Sequence, residues 1–313
     1  MLVSLLVVSV LGADISGVPL FGSQNPIETN RSVLFAPPLL MPREDWAATM
    51  ALDYSSAIEF FNTSTRSMLL DAELGRFQVS IVRRIGKDWF GFGQFAVQGA
   101  YDGFMDRFIN WYHKLVGVDY YARDIRPINK YGYYVQYEKG RRIAYKPVDL
   151  GPADSKLGLG HRFGENLQLL FVLGLPTAIA PGFRAGTVQA GLMFTGQLAL
   201  TSWMVGVGTL GIGATPRTGT LAHYENVVFG SASVGLRIRL SWMNSIYGNL
   251  WLHTAPMHGM DMPPTDNVDL SVDFGWILRI DQKTELWISM VEDPYPDGPA
   301  LDVAFRIGLR VGF

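Results

Sequence analysis

The sequence contains no cysteine, which removes disulfides, thiolate nucleophiles and thiolate metal sites at once. Nor does it hold a run of the ~18 apolar residues that a membrane-crossing helix requires. An excess of charge is missing too: 26 Lys and Arg stand against 28 Asp and Glu, for a net charge of −2, and no basic run occurs. That balance argues against a nucleic-acid binder. A chain that lacks membrane helices but is 48% hydrophobic must bury its apolar residues in a core or spread them over strands. What it has in plenty is glycine, at 34 residues, and aromatics, at 12%.

The one apolar run near the start, Leu2 to Gly12, is too short to span a bilayer as a helix. Followed by Ala13-Asp14, it reads as a secretory signal over residues 1–13, with a buried strand as the alternative. No Lys or Arg precedes the run, so this signal is expected to begin upstream. Residues 14–45 then form a periplasmic N-terminal segment, rich in proline at Pro37-Pro38 and Pro42, suited to plugging a lumen or docking a partner.

The C-terminus carries the clearest pattern. From Leu301 to Phe313 one face reads Leu301, Val303, Phe305, Ile307, Leu309, Val311, Phe313, and the other Asp302, Ala304, Arg306, Gly308, Arg310, Gly312. A strand that is greasy on one side and charged on the other separates two solvents, as lipid and lumen do in a transmembrane barrel. Arg306, Gly308, Val311 and the terminal Phe313 also resemble the assembly signal of bacterial outer-membrane barrels, with Val where an aromatic is commoner. Period-2 alternation recurs upstream. Strands are expected at Trp46–Ser55, at 67–82 with a bulge near Gly75, and near 89–100, 152–163, 166–176, 184–195, 198–213, 226–242, 246–256, 266–280 and 284–292, before 301–313. Tight turns at 86–88, 164–166, 195–197, 243–245 and 281–284 alternate with longer connections. Trp46, Trp89, Trp242 and Trp287 fall beside the tight turns, as an interfacial girdle would. The fold class is therefore all-β: a transmembrane antiparallel β-barrel of about 12 strands over 46–313, with a helical extracellular cap at 101–151.

Residues 67–126 carry a resemblance. Leu69-Leu-Asp-Ala-Glu73, Arg76 and Arg83-Arg-Ile-Gly86 are similar to the Leu-Leu-Asp-Gly-Glu strand of a proteobacterial envelope family described only as a domain of unknown function. Asp102-Gly-Phe-Met-Asp-Arg-Phe-Ile-Asn-Trp-Tyr-His113 resembles its Gly-Phe-Leu-Asp…Trp-His segment, and Asn25-Pro-Ile27 its early Asn-Pro-Leu. Ala72 replaces the usual Gly, and Tyr112 separates Trp111 from His113. The resemblance implies an outer-membrane barrel and brings no activity with it.

The candidate functional residues follow from the assigned faces. Asp53, Asp71, Glu73, Asp269, Asp273 and Asp302 are expected to project into the lumen from its middle and extracellular half; Arg84, Arg237, Arg239, Arg279, Arg306 and Arg310 from its middle and periplasmic half. Opposed acids and arginines across a narrow bore create a transverse field suited to small polar solutes. The same groups paired with one another would make a closed interior. In the cap, Asp102 is placed to start a helix that Gly117 ends. Phe104, Phe108, Trp111, Tyr112 and Leu115 form one stripe and His113 lies nearby; the insertion is expected to act as a lid, a plug or a rim cover.

Three motifs compete. Gly206-Val-Gly-Thr-Leu-Gly211 matches a dinucleotide fingerprint, but no helix follows it, so its glycines are read as relief of strand crowding. Met257, His258, Met260 and Met262 offer soft ligands for Cu(I) in an exposed loop, a weak metal candidate. His161 or His253 with an inward serine would serve a lipid-modifying hydrolase. No catalytic set or cofactor is assigned. The expectation is a non-enzymatic narrow channel or transport component. Its alternatives are an accessory barrel anchoring an envelope complex and, third, an outer-membrane enzyme. The expected partners are outer-membrane lipid and lipopolysaccharide, the barrel-assembly machinery and envelope proteins, with no nucleic acid.

Overall fold

The computed structural model describes residues 17–19, 22–35, 45–117, 121–295, 298–299 and 301–313. The signal at 1–13 and the prolines at 37, 38 and 42 lie outside them. Twelve strands close one antiparallel barrel: β1 (Trp46–Asn62), β2 (Ser67–Arg84), β3 (Trp89–Tyr101), β7 (Ser155–Phe163), β8 (Leu167–Leu175), β9 (Gln189–Thr201), β10 (Met204–Ala214), β11 (Val228–Arg239), β12 (Asn244–His253), β13 (Asp269–Arg279), β14 (Thr284–Glu292) and β15 (Val303–Gly312). The terminal strand seals the barrel by pairing with β1 from Ala47↔Gly312 to Ser56↔Val303. Three further strands, β4 (Gly132–Glu138), β5 (Arg141–Tyr145) and β6 (Val148–Pro152), belong to the insertion and extend the tops of β2 and β3.

Alternation places one face of each strand outward. Leu52, Phe77, Phe95, Leu159, Phe171, Leu198, Leu210, Val234, Leu250, Phe274, Ile288 and Ile307 are all exposed, one from each strand around the wall. A continuous apolar belt of this kind is incompatible with water and marks the barrel as membrane-spanning. Trp46 and Phe313 stack at 6.5 Å at the short-turn end, where Trp89, Trp203, Trp242 and Trp276 are also exposed. Trp287 departs from the expected girdle. It pairs with Gly308 on the inner face and is buried, because the missing side chain there leaves room for an indole.

Two further expectations fail on register. The expected turn at 195–197 lies inside β9, because Leu192, Phe194, Leu198 and Leu200 hold one outward phase straight through Gly196; the chain reverses at Ser202-Trp203. The expected bulge near Gly75 is absent: β1 and β2 pair without a slip from Trp46↔Arg83 to Asn62↔Ser67. That correction decides the placement of two candidate residues.

Candidate lumen and gate

Residues 22–35 of the N-terminal segment occupy the lumen. A 3-10 stretch, Pro26–Phe35, packs against the inner faces of β8, β9, β10 and β11. Asn25 starts it by accepting the Ile27 N–H on its Oδ1 at 3.0 Å. Gln189 then holds it from the wall: its Oε1 accepts the Val33 N–H at 3.1 Å, and its amide donates to the Thr29 carbonyl at 2.6 Å. Arg76 donates to the Gly22 carbonyl at 2.6 Å. Val33 and Leu34, fully buried, enter an apolar patch of Phe90, Phe92, Leu170, Val172, Met193 and Phe229. The wall makes room for them with glycine. A Cβ at Gly191 would lie 3.1 Å from Leu34 and 3.2 Å from Val33, and one at Gly211 would lie 3.2 Å from Leu34. Gly211 is the last glycine of the dinucleotide-like motif, which lies along β10; relief of crowding is its local role.

Below and beside this plug the inward charges are paired. Arg306 donates from Nε to Asp53 at 2.8 Å and stands 3.5 Å from Asp273; Arg76 reaches the other oxygen of Asp53 at 3.0 Å. Arg237 pairs with Glu285 at 2.9 Å, and Arg279 approaches the same carboxylate at 3.8 Å. Arg239 donates to the Ser202 carbonyl. Strand pairing places Arg84 and Arg310 on the same inner face. Asp269 accepts from Ser271 at 2.9 Å, and within the plug Glu28 pairs with Arg31. Arg76, Glu285 and the plug's own Glu28 and Arg31 were missed in the sequence. For the first two, the inward phase of their strands was a usable signal. For the plug pair there was none, because nothing in an irregular segment says which face it presents.

Asp71 and Glu73 do not line the lumen. With β2 unbroken they share the outward face of Tyr54 and Phe77. Both are buried because the insertion covers them from outside. Helix α1 (Asp106–Val116) lies against the outer wall, with Met105 and Ile109 packed on Val303, Tyr54, Met290 and Phe305. Glu73 accepts the Met105 N–H and the Tyr54 hydroxyl, so it caps the helix in place of the expected Asp102. Arg126, beyond the short helix α2 (Tyr121–Ile125), pairs with Asp71 at 2.7 Å. Arg123 of α2 joins Asp106, Ser56 and Asp302. Asp302 thus turns to the insertion instead of the bore, with His113 Nε2 at 3.4 Å. Burial holds the His113 imidazole below its ordinary pKa, against the opposing pull of Asp302. Sequence alternation alone had assigned these acids inward because lipid was assumed to lie outside them; at this height the outside is protein.

The mouth is covered by other parts of the insertion. The β4–β5 hairpin sets Tyr133, Val135 and Tyr137 over Met68, Leu70 and Ala72. Met257, Met260 and Met262 join that apolar cluster, and Met260 and Met262 are fully buried, while His258 points out. The exposed copper loop is therefore corrected to core packing: the thioethers fill space between the hairpin and the barrel top. Between this hairpin, residues 176–186, residues 218–225 and the top of the plug lies a cavity of about 460 Å³. Tyr133, Ile143, Tyr145 and Leu221 supply its apolar walls, Arg184 and Glu225 its charges, and Pro26 and Ile27 its floor.

Among the described residues, neither histidine of the hydrolase alternative is hydrogen-bonded to a hydroxyl. His161 is on the outer face, its ring 4.6 Å from that of Trp89. His253 is inward and buried, stacked 4.2 Å from Phe35, and neither of its nitrogens has a hydrogen-bond partner among the described residues.

Over residues 20–313 the chain matches the family described as protein of unknown function DUF3187. It belongs to that family. The DUF3187 chain has no match among curated proteins. Solved structures similar to it include the NanC porin (5% identity, TM-score 0.48, covering 85% of this chain and 100% of that one). A FadL homologue from Pseudomonas aeruginosa is similar at 8% identity and TM-score 0.46, covering 95% of this chain and 100% of that one. The CymD monoaromatic hydrocarbon channel is similar at 9% identity and TM-score 0.44, covering 95% of each chain.

Proposed function

We propose that this DUF3187 barrel sits in the bacterial outer membrane with its long connections outside. There it passes a small polar solute through a lumen gated by its own N-terminal segment. One observation carries this reading: the segment ending in Val33 and Leu34 fills the bore directly beneath a cavity large enough for a small molecule. A barrel that served only as an anchor would need neither a separable plug nor a chamber above it. The aromatic walls of that chamber suit the body of a solute, and Arg184 and Glu225 its polar groups. Beneath, the paired arginines and aspartates provide successive polar sites once the plug withdraws.

Single-channel recording of the refolded chain in a planar bilayer tests this. The native protein should be closed for most of the record. Leu34→Asp, which places a carboxylate in the apolar patch, should conduct steadily. Adding Arg306→Ala and Arg310→Ala should shift its selectivity toward cations. A folded, inserted Leu34→Asp protein that stays silent would refute the transport reading.

A further inference from the structure

Helix α1 has three distinct faces where a cap helix needs only two. Met105, Ile109 and His113 are buried against the barrel wall. Arg107, Asn110 and Lys114 form a polar face. Between them runs a third stripe, Phe104, Phe108, Trp111 and Leu115, at the i, i+4, i+7, i+11 spacing of a single helical face. Its residues are 70%, 45%, 58% and 68% exposed. Four large apolar side chains in a row, left uncovered on a helix that is otherwise firmly latched, require a non-aqueous neighbour.

The position of the helix identifies that neighbour. It rests on Tyr54 and Phe305, which pair with each other on the lipid-facing side of β1 and β15. Phe305 lies eight residues above the terminal Phe313. At ~3.3 Å per residue and a strand tilt of ~40°, that is about 20 Å above the short-turn girdle, near the upper edge of a ~25 Å apolar band. The exposed stripe is also continuous with the barrel's belt: Phe104 stacks on Tyr54 at 5.4 Å, and Phe108 meets Phe305 edge-on at 5.9 Å. Wall on one side, lipid below and water above are the three surroundings that the three faces match.

We propose that α1 is a membrane-surface anchor. It lies along the barrel wall in the leaflet at the long-loop end, its Phe104–Phe108–Trp111–Leu115 stripe in the acyl chains and Arg107 and Lys114 among the head groups. The latch of Asp71, Glu73 and Asp302 to Arg126, the Met105 N–H and Arg123 fixes the helix rotation that presents this stripe. The assignment stands whether or not the barrel conducts.

The absence of cysteine makes the test direct. Single cysteines at Phe108, Trp111 or Leu115, and at Arg107 or Lys114, are introduced into the full chain, spin-labelled and reconstituted in phosphatidylcholine–phosphatidylglycerol vesicles. Their collision rates with oxygen and with a water-soluble nickel chelate are then compared. The apolar positions should favour oxygen, as a label at Leu309 on the barrel's lipid face does, and the basic positions should favour the chelate. Labels on the stripe that favour the chelate would overturn the proposal. So would stripe labels shielded from both reagents, which would mean a protein covering. Arg107 and Lys114 are exposed, so labels there report the helix even if a stripe variant fails to fold.

Discussion

Shortening Leu34 to alanine should open the lumen without harming the barrel. Leu34 is fully buried, in a cluster that joins the plug to inward residues of β3, β8, β9 and β11. Truncating a buried leucine costs about 2–5 kcal/mol. Leu34 belongs to no strand, so this cost falls on the equilibrium between plug in and plug out. At ~1.4 kcal/mol per factor of ten, the withdrawn population should rise roughly 30- to several-thousand-fold. Met193, buried in the same patch, gives the readout as Met193→Cys, the sole thiol in the chain. If the plug re-enters faster than a bulky maleimide reacts, the labelling rate in membranes reports the withdrawn population. The ratio of rates with and without Leu34→Ala is then the predicted factor. A ratio below about threefold, in protein that is still a folded barrel, would show that apolar packing of Leu34 does not hold the plug in place.

The remaining predictions concern the wall and its outer latch. Asp53→Asn removes the carboxylate that the fully buried Arg306 shares with Arg76. It should cost about 3–5 kcal/mol in urea unfolding from bilayers, and a loss below 1 kcal/mol would show the network to be dispensable. Leu309→Arg puts a cation on the lipid face and should cost ~2–4 kcal/mol, measured the same way; unimpaired insertion would mean the faces are reversed. Gly308→Ala would set a Cβ 2.1 Å from the Trp287 ring, so folding should slow and Trp287 fluorescence should shift. An unaltered spectrum would remove the glycine's packing role. His113 is held neutral by burial, so the folded form binds fewer protons than the unfolded one as pH falls through 6.5. Docking of α1 should therefore be pH-independent above that value and weaken below it. Trp111 fluorescence in membranes reads this, and His113→Gln should flatten the profile.

Much of the barrel was legible because strand alternation is a local property. Leu301 to Phe313 showed both faces of β15, and the same parity placed Asp53, Arg237, Asp273, Arg279 and Arg306 on the inner surface. The method failed where the environment of a face changes along one strand. On β2, Phe77 and Ile81 face outward to lipid, whereas Asp71 and Glu73 face outward to protein. A rule that outward means apolar had to invent a bulge at Gly75 to keep both acids inside.

By itself, then, the sequence determined the strand number and, along most strands, which residues face outward, since these rest on period-2 spacing. Tertiary structure alone decided what each face meets. Packing across the bore turned Asn25–Phe35 into a plug, paired Arg306 with Asp53, and drew Met260 and Met262 into a core. It also set α1 on the outer wall, with its second apolar stripe turned toward the membrane. The reason is physical: alternation specifies two sides, but desolvation and pairing depend on which distant residues come to occupy them.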